Sequence, residues 1–223
     1  MNQSLHGDRC KKRRLPSSFP LGVETITEMN RKIGNFIIRG WKIEDAPSLS
    51  KHANNRKIWI HLRDAFPHPY VLQDAQSFIL NAIHEHPKTL FAIATSEEVI
   101  GSIGMEIGKD VHRLTAELGY WLAESYWGKG IMSEAVKVVT EYALQDLSLY
   151  RIHAAPYAVN PASAKVLKKA GFRFEGTLHS SAIKDGHILD QHLYSCTRKR
   201  STFNWGKGDE PPMAHCSSAS PDR

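Results

Sequence analysis

The chain has 223 residues, 41% of them hydrophobic and 23% charged, a composition suited to one globular domain with its own core. No stretch approaches the ~20 apolar residues that cross a bilayer, and no apolar segment of the signal-peptide kind follows the basic N-terminus, so a soluble, non-secreted protein is expected. Cys10, Cys196 and Cys216 are odd in number and far apart, which argues against a disulfide framework or a zinc site and for a reducing compartment.

Charge divides the chain into three. Residues 1–32 carry a net +4, residues 33–200 a net +3 and residues 201–223 a net −1. The leader, with its KKRR cluster, reads as a basic, disordered arm, and the last segment as a flexible tail; both are rich in Ser and Pro and lack sustained periodicity. KKRR leaves nuclear import open beside a cytoplasmic location, but it does not make the folded part a nucleic-acid binder. Residues 33–200 are expected to form the domain.

In chain order, NFIIRGW predicts a strand, and EDAPSLSKHAN and DAQSFILNAIHEH predict helices. FAIAT, VIGSIGMEIG and LTAELGYWLA predict three strands. From Gly130 onward Ile131, Met132, Ala135, Val136, Val139, Tyr142 and Ala143 recur at helical spacing, an amphipathic helix with one apolar face. RIHAAPYAV follows as a strand. Asn160-Pro161 then opens a helix that Gly171 ends, with Asn160 at the N-cap and Pro161 at the first helical position. FRFEGTL and HILDQHLYSCT form a hairpin around Lys184-Asp185-Gly186. The alternation gives an α/β fold with a mixed sheet and no internal repeat.

The strand-to-helix junction at Gly128-Lys129-Gly130 is the first candidate site. Glycines there let ligand oxygens approach the backbone, and the first N–H groups of the helix form an anion site. The P-loop pattern fails, with Ala123 where its first glycine belongs and Gly130 where a hydroxyl must meet magnesium. The dinucleotide fingerprint fails too, at Ser133. On its own the GKG turn fits an anion site and a purely structural turn equally.

With LRDAFPHPY (62–70), AELGYWLAESYWGKGIMSEA (116–135) and NPASAKVLKKAGFRFEGTL (160–178), the sequence resembles the GNAT superfamily of N-acetyltransferases, in the branch similar to the ribosomal-protein N-terminal acetyltransferases. The resemblance spans about residues 34–200. It implies a single GNAT domain with a sheet of six to seven strands, a splayed central pair and about four helices. It also implies acetyl-CoA as co-substrate, with Trp127, Gly128, Lys129, Gly130, Ile131, Met132 and Ser133 at the pyrophosphate and Tyr120, Trp121 and Leu122 along the pantetheine arm. Asn160 and Ser163 border the same arm. Trp127 replaces the Gln or Arg of the family pattern [QR]-x-x-G-x-[GA], and Met132 replaces its final small residue. The tyrosine that many members carry seven residues after the asparagine is Leu167 here, so Ser163 is the candidate partner for the leaving sulfur.

Acetyl transfer to an amine calls for a group to take its proton. Glu117 is the first candidate base, thirteen residues before Gly130 and near where the family's histone-acetylating members place theirs. Glu106 is the second, since a carboxylate in MEIG among apolar neighbours is costly to bury without a partner. The oxyanion donor is expected on the backbone near Trp121 or Leu122. Arg63, Asp64 and His68 are candidates for orienting the acceptor, and His187 and Asp190 weaker ones. His61, His68 and His84 lack metal-ligand spacing, and no metal is expected. The acceptor is an amine, small molecule or protein N-terminus. A non-catalytic acyl-CoA-binding regulatory module is the alternative that the missing tyrosine leaves open. Oligomeric state is not legible.

Overall fold

The computed structural model describes residues 29–198. The KKRR cluster, Cys10, Cys216, the tail and residues 199 and 200 of the expected domain lie outside these residues. Eight strands form one sheet in the order β1-β2-β3-β4-β5-β6-β8-β7, rather than the expected six to seven. The extra strand is β1 (Asn30–Ile33), which pairs antiparallel with β2 (Phe36–Arg39) across a turn where Gly34 takes φ 58°. Asn30, Arg31 and Lys32, grouped with the arm by their charge, belong to this strand. Its exposed, charged edge gave no period-2 signal to read.

Helices α1 (Ala46–Ala53), α2 (Arg56–Trp59) and α3 (Leu72–His84) lead to β3 (Leu90–Ala94), β4 (Val99–Ile107) and β5 (Thr115–Leu122). Five α-helices are present among the described residues, against the expected four. The addition, α2, is one turn long, too short for periodicity to register. Helix α4 (Ile131–Gln145) crosses from β5 to β6 (Arg151–Ala154), the only parallel pair among the described strands. Then come α5 (Pro161–Lys169), β7 (Arg173–Lys184) and β8 (His187–Thr197). The β7–β8 turn places Asp185 and Gly186 at φ 52° and 78°, the left-handed pair that a two-residue hairpin turn requires.

Side chains alternate across the sheet into two cores. Phe91, Ile93, Ile103 and Leu118 face α4 and α5, while the smaller Ala92 and Ala94, with Val99, let α1 and α3 pack close on the other face. Helix α5 ends as its glycine predicts. Gly171 takes φ 90°, its N–H reaches the Lys168 carbonyl, and the Phe172 N–H reaches that of Leu167.

Candidate active site at the split between two strands

Strands β5 and β6 pair only over Thr115–Glu117 and Arg151–His153, then part. The expected strand over RIHAAPYAV stops at Ala154, one residue past the last pair with β5; beyond it the chain touches β8 through an isolated bridge at Tyr157 and Gln191. The Ala123 N–H donates to the Ile100 carbonyl and the Gly108 N–H to that of Thr115. The two-residue alternation of the β4–β5 ladder therefore ties Glu117, Gly119 and Trp121 to β4. It turns the backbone groups of Leu118, Tyr120 and Leu122 toward the gap. Of the two residues expected to offer an oxyanion donor, Trp121 has its N–H in the ladder, and Leu122 keeps one facing the opening.

At the end of β5 the chain turns through Gly128 and Gly130 at φ 76° and 80°. A Cβ at either would meet no atom within 4 Å, so both glycines border open space. Gly130 occupies the N-cap of α4 and has no side chain to satisfy the N–H groups of Ile131, Met132 and Ser133. The side chains of those three are buried, so only their main chain is offered. A cavity of about 510 Å³ opens between this turn and the β1–β2 hairpin, with Lys129, Lys137 and Lys169 on its rim. Glu134 pairs with Lys137 at 2.7 Å, and Lys129 lies 5.0 Å from the Tyr126 ring centre. Trp127 fills the place of the family's Gln or Arg differently, with its indole Nε1 donating to the Leu122 carbonyl at 2.6 Å. This geometry fits a phosphate-bearing thioester: open glycines, free helix N–H groups and an unpaired strand edge.

Across the gap, Asn160 caps α5 by accepting the Ser163 N–H at 3.1 Å. Ser163 Oγ lies 2.8 Å from the Tyr120 hydroxyl. Leu167 is fully buried in the core, so its position faces away from the opening.

On the opposite face of β5 the sheet brings three expected residues together. Glu106 and Glu117 are directly opposed on β4 and β5. Arg63 reaches both: its guanidinium binds a Glu117 oxygen and lies 3.5 Å from a Glu106 oxygen. The Glu117 bond, with desolvation opposing it, raises the Arg63 pKa, so the guanidinium stays charged at neutral pH. Glu106 is 80% exposed, which removes the burial cost that had singled it out; Glu117 is 33% exposed.

Asp64 and His68 belong to a neighbouring cluster. The Lys184 ammonium, wholly buried at the end of β7, donates to Asp64 at 2.8 Å and sits 3.7 Å from the centre of the Trp59 ring. His68 stacks on the same indole. Arg56 joins Asp185 at 2.5 Å, and the Tyr157 hydroxyl donates to the Leu62 carbonyl at 3.4 Å. Lys184, Trp59 and Tyr157 were missed in the sequence. Lys184 reads there as part of an exposed turn, and its burial depends on a partner 120 residues away.

Elsewhere, Asp190 accepts the Ser180 N–H and pairs with His179, contacts that lower its pKa and brace the irregular stretch of β7. His84 bonds the Leu80 carbonyl within α3, and burial lowers the pKa of His61. His187 is exposed on the hairpin. Among the described residues no group of three or more His, Cys, Asp and Glu is placed to hold a metal ion, and no described helix is long and apolar enough to cross a membrane.

Comparison with known proteins agrees with this geometry. Residues 35–173 match the model of the Acetyltransferase (GNAT) domain. The chain is 29% identical over 165 residues to the uncharacterized N-acetyltransferase p20 of Bacillus licheniformis, covering 73% of this chain and 92% of that one. It is 33% identical over 106 residues to the ribosomal-protein-serine acetyltransferase of Escherichia coli, covering 48% and 59%. Among solved structures, the microcin C7 self-immunity acetyltransferase, in complex with acetyl-CoA and AMP, superposes with a TM-score of 0.64 at 25% identity, covering 74% of this chain and 94% of that one. The split sheet, the glycine turn and a family match over more than half its length together place this chain in the GNAT family of acetyl-CoA-dependent N-acetyltransferases.

Proposed function

We propose that the protein acetylates a primary amine, on a protein N-terminus or a small molecule, by direct attack on acetyl-CoA in a ternary complex. The observation that carries this reading is the β5–β6 gap, which has unpaired main chain and a free helix start on one side and the Glu117–Arg63–Glu106 group on the other. The N–H groups from Gly128 to Ser133 take the pyrophosphate, and the free edge of β5 at Tyr120 and Leu122 takes the pantetheine amides. Trp121 contributes packing from the far face, against Phe66.

Glu117 is the proposed base. Arg63 orients its carboxylate in the free protein, but an oxygen engaged by a guanidinium is a poor proton acceptor, so an arriving ammonium has to displace Arg63 from it. The neutral amine then attacks the thioester carbonyl, whose oxygen takes the Leu122 N–H. The new N–C bond forms as the C–S bond breaks, and the sulfur leaves with the electron pair under a hydrogen bond from Ser163. Glu117 passes the first proton to solvent, and the nitrogen sheds a second as the neutral amide forms; one of the two protonates the thiolate and the other is released, so the reaction balances without a covalent enzyme intermediate. Glu106 attracts the cationic acceptor and offers the displaced Arg63 a second carboxylate, with Asp64 and His68 shaping the wall beside it.

The relatives named for ribosomal proteins make a protein N-terminus the first acceptor to try. The test is acetyl-CoA consumption against separate pools of N-terminal peptides, polyamines, amino acids and aminoglycosides, with product mass confirming one added acetyl group. Turnover confined to one pool identifies the acceptor class. Coenzyme A binding with no product in any pool overturns the catalytic reading in favour of a binding module.

A further inference from the structure

Two hydroxyls meet beneath the first turn of α5. Tyr120 Oη lies 2.8 Å from Ser163 Oγ and 3.4 Å from the Ser163 carbonyl. The pair can be wired in two ways, which differ in which oxygen keeps a free proton. A phenol is the stronger acid and an alkyl hydroxyl oxygen the better acceptor. The Ser163 carbonyl also faces the helical N–H four residues on and is a poor alternative partner. Tyr120 therefore donates and Ser163 accepts, leaving the single Ser163 proton free to turn into the gap. Burial raises the Tyr120 pKa far above neutrality, so this phenol keeps its proton and has it to donate. Packing alone does not require the oxygen, because a phenylalanine ring would fill the same space.

We propose that Tyr120 is a positioning residue, whose hydroxyl donates to Ser163 Oγ and thereby aims the Ser163 proton at the sulfur of the co-substrate. A donor that is itself accepting a hydrogen bond is polarised, so Ser163 also becomes the stronger donor. The strand tyrosine thus acts through a serine where the helix position carries a buried leucine. The proposal rests on the Ser163 role given above.

The test needs no acceptor. Coenzyme A carrying carbon-13 next to its sulfur is bound to the full chain and its thiol titrated by NMR. A hydrogen bond to the thiolate lowers that pKa, so Ser163→Ala should raise it by about one unit. Tyr120→Phe should raise it by about half a unit, and in the Ser163→Ala background by nothing further. Ser163→Thr, which keeps the hydroxyl, should titrate as the parent does and remain sensitive to Tyr120→Phe. A thermal unfolding midpoint of the free protein close to that of the parent shows that each fold is intact. No shift in Tyr120→Phe, or an equal shift with and without the Ser163 hydroxyl, overturns the positioning role while Ser163 keeps its own. No shift in Ser163→Ala overturns both roles and leaves cofactor binding standing.

Discussion

On the α4 side of the gap the binding surface is main chain: free N–H groups from Gly130 onward and the unpaired edge of β5. On the opposite face it is charged side chains gathered from the α2–α3 connection, two strands and the tip of the last hairpin. The contrast explains how this chain departs from the family pattern at Trp127 and Met132 without losing the geometry. Main-chain donors survive side-chain changes as long as the turn keeps its glycines. A surface of charged side chains changes with each substitution, and that is the half proposed to select the acceptor.

The widest test of this division is Glu117→Gln. Loss of a general base costs ~10² to 10⁴ in rate, and kcat near pH 7 should fall by that order. Activity should recover in part as pH rises toward the pKa of the amine, where free base forms unaided. Glu106→Gln, on the exposed partner, should act mainly on the acceptor KM; an inactive Glu106→Gln beside an unimpaired Glu117→Gln would move the base one strand over. Next in size is Lys184→Ala, which removes a wholly buried stem and should cost about 2–4 kcal/mol in denaturant unfolding. Lys184→Met keeps the stem and loses the ammonium, whose desolvation offsets its attraction to Asp64 and Trp59, so stability should stay within about 1 kcal/mol of the parent. If the two variants are equally unstable, the charge matters more than the packing.

On the main-chain side, Gly128→Asp and Gly128→Asn share one shape, and both side chains tolerate the left-handed backbone. They differ only in charge. The aspartate should weaken acetyl-CoA binding on the order of tenfold more than the asparagine by repelling phosphate, measured by calorimetry. Equal affinities would make the turn structural. The smallest effect is expected far from either surface. The Arg151 guanidinium, with help from Ser195, draws the Glu175 pKa down to about 2. A depressed carboxylate pKa adds stability above the unfolded value near 4.5, and that stability is lost as pH falls toward 2. Glu175→Gln should therefore lower stability at pH 7 by no more than about 1 kcal/mol, given its exposure, and leave it unchanged near pH 2.

What was legible in the sequence follows the same division. Elements that face the core were found nearly to their ends, because apolar residues record burial: α4 and α5 with one apolar face, and the strands from β3 to β5 are examples. The glycine turn was visible because left-handed positions favour glycine. Strand β1 was hidden by exposed charges, and the early end of β6 by the fact that parting from a neighbour leaves no mark in a strand's own residues. The Arg63–Glu117 and Lys184–Asp64 pairs join residues 54 and 120 positions apart. No local pattern encodes such pairs. Glu106 was singled out for a burial it does not have, since its strand leaves the core one residue earlier, at Met105.

The split sheet also links occupancy to stability. Alternate amides of β5 are locked into the ladder with β4, while those of Tyr120 and Leu122 have no strand beside them. Hydrogen exchange along this one strand should alternate between slow and fast from Glu117 onward. A ligand that lays its own amides along the open edge serves as a missing strand, slows the fast positions and stabilises the fold by RT ln(1 + [L]/Kd). The melting temperature of the protein becomes a gauge of how much thioester surrounds it.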